Sequence, residues 1–304
     1  VYADFAPTPQ YRWARLGERL GAECWIKHEN HTPVGAFKIR GGLTYFDQLA
    51  RRGDMPREVI SATRGNHGQS IAWAARSHGV RCTIVVPHGN SVEKNMAMRS
   101  LGAELIEHGD DFQAAREHAM ALAEHSGAHM VPSYHPDLVS GVSTYWWEFL
   151  RAVPHLQTVY VPIGLGSGAC AAVAAKLALQ HPVRIVGVIS TGATTYRDSI
   201  AAGEVVEAVV STEIADGMAV RRADPMALPV LRQHLDDLVA VSDDEVRAAM
   251  RFLFTDTHNV AEGAGAGALA AALQEREQIT GQTVGLALTG GNVDAAVFSE
   301  VPGG

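Results

Sequence analysis

The sequence predicts an α/β protein built on open, twisted parallel sheets with helices on both faces. Three observations carry that expectation. Short β-rich runs alternate with Ala-rich amphipathic stretches over most of the 304 residues, the runs mostly stop at Gly, Pro or polar turns, and no repeat or low-complexity segment interrupts the alternation. The length exceeds the usual size of one domain, so one large or two interleaved domains are expected.

Taken in order, the first expected strand is Cys24 to His28, after which a turn containing Pro33 and Gly35 leads into a helix over Phe37 to Ala50. A strand at Glu58 to Ala62 passes through a polar turn into a helix over Asn66 to His78. Strands at Cys82 to Val86 and Glu104 to Ile106 then precede a helix over Asp111 to His125. The second half continues with helix Val142 to Ala152, strand Thr158 to Ile163, helix Ala169 to Gln180 and strand Arg184 to Ile189. Helices Asp243 to Thr257 and Gly265 to Arg276 lead to a last strand, Val284 to Leu288. The run of small residues over Ala261 to Ala272 reads as a tightly packed helix start.

Composition narrows the partners. Apolar residues make up 47% and charged residues 19%, and the apolar stretches are far shorter than the roughly 18 residues of a membrane span. The net charge is −8 with both signs interspersed, so no basic stripe suits nucleic acid, and small molecules are the expected partners. Cys24, Cys82 and Cys170 are odd in number, far apart and in apolar surroundings, which fits buried thiols in a reducing compartment. Val1 in place of Met suggests a trimmed start, and no targeting segment is visible, so a cytoplasmic protein is expected.

Four segments carry chemistry. In Thr32 to Arg40 a turn opens a helix with two cations at its start, Lys38 and Arg40, where they oppose the helix dipole. A lysine in such an apolar, electropositive setting loses pKa and becomes an amine able to form an imine. On this segment alone, an ordinary surface lysine is the simpler reading. In Ser61 to Gln69 a strand ends in a polar turn that opens a helix, a place to grip a carboxylate; as a plain connection, it needs only Asn66 as a cap. Gly164-Leu165-Gly166-Ser167-Gly168 lies between a strand and a helix and forms a phosphate cradle. Its spacing is GxGxG rather than the GxGxxG of dinucleotide sites, and His181 follows where a ribose-binding acid would be needed. Finally, Thr289-Gly290-Gly291-Asn292 places a hydroxyl at a strand's C-terminal edge, although Gly-Gly-Asn is also ordinary turn chemistry.

Together, in this order and over nearly the whole chain, these segments resemble the fold-type II pyridoxal-5'-phosphate (PLP) enzymes, in the serine/threonine dehydratase and serine racemase branch. Ala215-Asp216-Gly217 and Ala261-Glu262-Gly263 add to the likeness. The resemblance implies a tryptophan synthase β-like fold of two such sheet domains. Residues 58–136 form a small domain inserted into a large one, 1–57 and 137–304, with PLP in the cleft between them. It implies Lys38 as the Schiff-base lysine and general base, Phe37 beside the pyridine ring, Asn66 on the phenolic oxygen, Gly164 to Gly168 on the phosphate and Thr289 at the pyridine nitrogen. Thr63, Asn66 and His67, with nearby backbone N–H groups, would hold the substrate's α-carboxylate, and Arg64 and Gly65 complete the substrate-binding turn. The implied reaction is β-elimination from a β-hydroxy amino acid, L-threonine or L-serine by default, to a 2-oxo acid and ammonia. The alternatives are a 3-hydroxyaspartate or bulky phenylserine-like substrate and, further off, racemisation or β-replacement.

Three positions depart from that pattern. Arg64 stands where racemases of the branch place a Ser that protonates the opposite face, and Arg does no acid/base work near neutral pH. It would either clamp a substrate carboxylate bidentately or point away and pair with an acidic side chain. Ile189 and Thr195 occupy the places of a divalent-cation Glu and Asp, so no metal is expected. Gly141-Val142-Ser143-Thr144 replaces a GQGT segment. The absence of a domain after Gly304 favours a short catabolic enzyme, and a homodimer is expected.

Overall fold

A computed structural model describes residues 1–301. Two sheets form it, and their strands are β1 (Gln10–Arg12), β2 (Glu23–His28), β3 (Glu58–Ala62), β4 (Arg81–Val86), β5 (Glu104–Glu107), β6 (His129–Met130), β7 (Thr158–Pro162), β8 (Arg184–Ser190), β9 (Asp237–Val241) and β10 (Thr283–Leu288). One sheet has the order β1-β2-β10-β7-β8-β9 and the other β5-β4-β3-β6. Every pairing is parallel except β1 with β2. Parallel strands need crossover helices that cover both faces, which is why the strands read as short unbroken apolar runs rather than alternating ones.

All seven expected strands and all seven expected helices form, with ends shifted by a few residues, most at the helix expected from Val142. That helix begins at Pro136, where the His135 side chain accepts the Asp137 N–H and Pro136 supplies the first helical φ. Strands β1 and β6 carry too little apolar signal, with three and two residues, whereas β9, apolar after an exposed Asp237, lies at a sheet edge and is only partly buried. The helix Val92–Ser100 escapes detection because two of its inward residues, Lys94 and Asn95, are polar and break the apolar period. Along the helix Gly263–Gln274, a side chain at Gly263 would strike the Ile214 carbonyl and one at Gly265 the Gly290 carbonyl, so close backbone packing demands the small residues there. Cys24, Cys82 and Cys170 are free and buried.

The cores explain how the two sheets share the site. The helix Lys38–Arg52 precedes β3 in the chain, yet its Ile39, Phe46 and Leu49 pack with Val59 and Ile84 of the four-stranded sheet and with Ile71 of the helix Asn66–Ser77. Its Arg40 is fully buried, donating to Glu29 at 2.7 Å and to Glu148 at 2.6 Å, while Lys27 reaches Glu148 at 2.6 Å. Two cations thus meet two carboxylates in the interior, and the cation two residues beyond Lys38 serves structure. Burial pushes the Glu148 carboxyl up, but Arg40 and Lys27 outweigh that and hold it below the ordinary range.

Candidate active site

The C-terminal ends of β3, β7 and β10 converge with the start of the Lys38 helix on one cleft, the edge where open α/β sheets place ligands. Its volume, counting the solvent mouth, is about 880 Å³. The Lys38 segment is tied to the end of β10: Phe37 N–H donates to the Thr289 carbonyl at 2.9 Å, and Ala36 bridges Gly290. Gly35 makes the turn at φ 68, a left-handed conformation that suits glycine.

Lys38 opens its helix in the cleft wall, surrounded by protein yet facing the cavity. Its amine donates to Ser167 Oγ at 2.9 Å and lies 4.9 Å from the Phe37 ring centroid. Burial drives its pKa down to about 8, only partly opposed by the Glu262 charge. A usable fraction is therefore unprotonated near neutral pH, as a nucleophilic amine requires.

After β7, residues 164–168 lead into the helix Ser167–Leu179, whose first internal bond is Cys170 N–H to the Gly166 carbonyl at 2.9 Å. The N–H groups of the preceding helix turn are left for an anion. From behind, Tyr196 hydroxyl donates to the Leu165 carbonyl at 2.7 Å and Trp146 Nε1 to the Gly168 carbonyl at 3.0 Å. Gly166 has φ 98, and a Cβ there would stand 2.8 Å from Ala227 Cβ. At Gly164 a Cβ would strike the Gly217 carbonyl. Strain and overpacking together make Gly166→Ala costly by about 1–3 kcal/mol, so ligand affinity at the loop should fall by about ten- to a hundredfold. Titration of PLP into the variant measures this, and an unchanged affinity would remove the loop from the site.

In the turn after β3, Thr63 Oγ1 accepts the N–H groups of Gly65 at 2.9 Å and Gly68 at 3.2 Å. Thr63 therefore shapes the turn with its side chain. Asn66 is fixed at both ends, donating to Glu262 at 2.6 Å and accepting from Asn292 at 2.9 Å. Beside it, Lys94 bridges Asp216 at 2.7 Å and Glu262 at 3.0 Å. Burial disfavours the Lys94 ammonium, but the two carboxylates prevail and raise its pKa. His67 is buried and its pKa falls to about 3, first by burial and then by the Lys38 charge, so the ring is neutral. Lys94 is a site residue that sequence reading misses; Asn292 reads there only as turn chemistry, and Asp216 and Glu262 lie in two short stretches noted only as supporting likenesses.

A family model described as pyridoxal-phosphate dependent enzyme matches residues 1–290. The chain belongs to this family. An L-threonine ammonia-lyase of Geobacter sulfurreducens is 36% identical over 94% of this chain and 71% of its own length. An L-threo-3-hydroxyaspartate ammonia-lyase of Saccharomyces cerevisiae is 31% identical over 98% of this chain and 91% of its own. Among solved structures, the processed threonine deaminase isoform 2 of Solanum lycopersicum superposes with a TM-score of 0.91 at 28% identity, over 99% of this chain and 88% of the other.

The cleft of this PLP-dependent enzyme fits the cofactor on its own evidence. It pairs an anion cradle of backbone N–H groups with a reactive amine 2.9 Å from the cradle's Ser167, and Gly164 and Gly166 let the loop pack closely against Gly217 and Ala227. Buried Thr289 lines the cleft at the end of β10, next to Phe37, whose N–H its carbonyl accepts. Arg64 also lines the cleft; it makes no ion pair or hydrogen bond among the described residues, and its Nε is closed off from solvent without a partner. Of the two metal positions, Ile189 is buried and apolar, and the Thr195 hydroxyl donates to the Val206 carbonyl at 2.8 Å. Among the described residues, no group of three or more His, Cys, Asp or Glu could hold a metal, and no helix is long and apolar enough to cross a membrane.

Proposed function

We propose that this enzyme is a PLP-dependent ammonia-lyase that eliminates the β-hydroxyl of a 3-hydroxy amino acid, L-threonine or L-serine by default. The observation that carries this reading is the Lys38 amine, poised at 2.9 Å from the head of the glycine cradle with its pKa lowered to about 8. Its relatives' ammonia-lyase activities support it. When bound, PLP supplies the conjugated electron sink for the α-C–H bond. Lys38 anchors it, then as a free amine takes the α-proton. The loop 164–168 would hold the phosphate, Asn66 the phenolic oxygen and Thr289 the ring nitrogen, with Phe37 beside the ring. Thr63, Gly65, Asn66 and His67 would hold the substrate's α-carboxylate, with Arg64 beside them on the cleft wall. Neutral His67 and the guanidinium of Arg64 provide no acid for the opposite face, which favours elimination over racemisation.

We assign residues 58–136 to a small domain that moves on substrate binding, supported by the separate four-stranded sheet. A homodimer is supported by the apolar groove where Trp147, Leu177 and Met226 are exposed. The three free thiols are consistent with a cytoplasmic setting.

The deciding experiment supplies a panel of 3-hydroxy amino acids in both configurations and follows 2-oxo acid and ammonia. D-serine formed without ammonia, or a nucleophile retained in the product, would overturn the lyase reading. PLP capture by the cofactor-free protein should also accelerate with pH. Only the unprotonated Lys38 amine attacks, so the rate rises about tenfold per unit below pH 8 and levels off above it. A pH-independent rate in stopped-flow absorbance would contradict the lowered pKa.

A further inference from the structure

Arg64 lies in the turn between β3 and the helix Asn66–Ser77, where the cleft meets a second opening lined by Asp110, Arg116, Arg221 and Arg222. Of the carboxylates around that opening, Asp111 pairs with Arg221 at 3.0 Å, and Asp224 accepts the Met226 N–H at 2.9 Å. Neither forms an ion pair with Arg64, and among the described residues no other carboxylate does. A guanidinium with a desolvated, unpartnered Nε lacks the acceptor that its fork is shaped to take, and a carboxylate satisfies that fork with two parallel bonds.

The α-carboxylate already has a place. With Thr63 Oγ1 accepting Gly65 and Gly68, and Gln69 N–H bonding the Gly65 carbonyl at 3.0 Å, the N–H groups of Asn66 and His67 remain at the helix start to receive it. Arg64 lies instead on a wall it shares with Phe112, Leu165 and Val220, which line both openings. A substrate held at its α-carbon by Lys38 and at its carboxylate by the helix start has only its side chain left to extend toward that junction.

We propose that Arg64 is the specificity-determining residue of this site and selects 3-hydroxy amino acids whose side chain ends in a second carboxylate. This rests on the ammonia-lyase reading above and names its substrate class. The enzyme then prefers the diacid over L-threonine, and the preference resides in one side chain that takes no part in moving the α-proton.

The test compares the PLP-loaded wild type with Arg64→Ala and Arg64→Lys on L-threo-3-hydroxyaspartate and L-threonine. Arg64→Ala is expected to lower kcat/KM for the diacid by about a hundredfold, chiefly through KM, and for threonine by less than about threefold. Arg64→Lys, which keeps charge but loses the fork, should fall between the two. Equal losses on both substrates would mean that Arg64 holds the α-carboxylate, and no loss on either would make it a bystander; each overturns the proposal. Calorimetric binding of L-aspartate and L-alanine, which carry no β-hydroxyl, gives a second readout independent of elimination. A wild-type preference for aspartate that vanishes in Arg64→Ala supports the clamp even if no 2-oxo acid forms from any substrate, an outcome that would sink the lyase reading alone. Equal binding of the two amino acids by the wild type would sink the clamp.

Discussion

Replacement of Lys38 by alanine is expected to abolish turnover, lowering it by about four orders of magnitude or more, because one amine both anchors the cofactor and moves the α-proton. The fold should survive. Lys38 forms no ion pair among the described residues, and its side chain bonds only Ser167, so the substitution removes a desolvated amine without stranding a buried charge. The variant should fail to bind PLP covalently, read as loss of visible absorbance and of a borohydride-fixed tag by mass spectrometry. A tag that persisted would point to another lysine. Lys94 is the other lysine lining the cleft, but Asp216 and Glu262 keep it protonated and therefore poorly nucleophilic. Retained colour in Lys38→Ala would thus contradict both the anchor and the charge assignment of Lys94.

The largest loss of stability is expected from Arg40→Met. Arg40 is fully buried between Glu29 and Glu148, so its removal leaves one Lys27 ammonium against two desolvated carboxylates. Breaking a buried pair by deleting one partner costs about 3–5 kcal/mol, a large part of a typical folding free energy. Urea denaturation should show that loss, and a change below about 1 kcal/mol would mean that the network is dispensable. Adding Glu148→Gln to Arg40→Met should recover part of the loss, because one uncompensated charge disappears. Arg40 follows Lys38 by two residues on the same helix, so a loosened network should also weaken PLP binding without touching the ligand.

The motifs were legible because each is local backbone chemistry. A glycine loop before a helix, a Thr–Arg–Gly–Asn turn after a strand and a hydroxyl at a strand's end announce anion-binding turns without knowledge of what packs against them. Lys38 was legible only in their company. Alone it sits among apolar residues as an ordinary cation, and its lowered pKa comes from burial in a cleft formed by distant segments. Lys94 left no trace, since a lysine in a weakly patterned helix reads as solvent-exposed until Asp216 and Glu262 meet it.

The sequence by itself determined the alternation of strands and helices, the parallel sheets they imply, and the turns that carry the site, because apolar runs and turn residues act within a few positions of the chain. Only the tertiary structure decided which polar groups meet. Asn66 reaches Glu262 across 196 residues and Asn292 across 226, Arg40 finds Glu148, and Arg64 finds no carboxylate among the described residues. Hydrophobic periodicity records that a face is buried; it carries no address for the charge or hydrogen bond on the other side, and the chemistry of this cleft depends on those addresses.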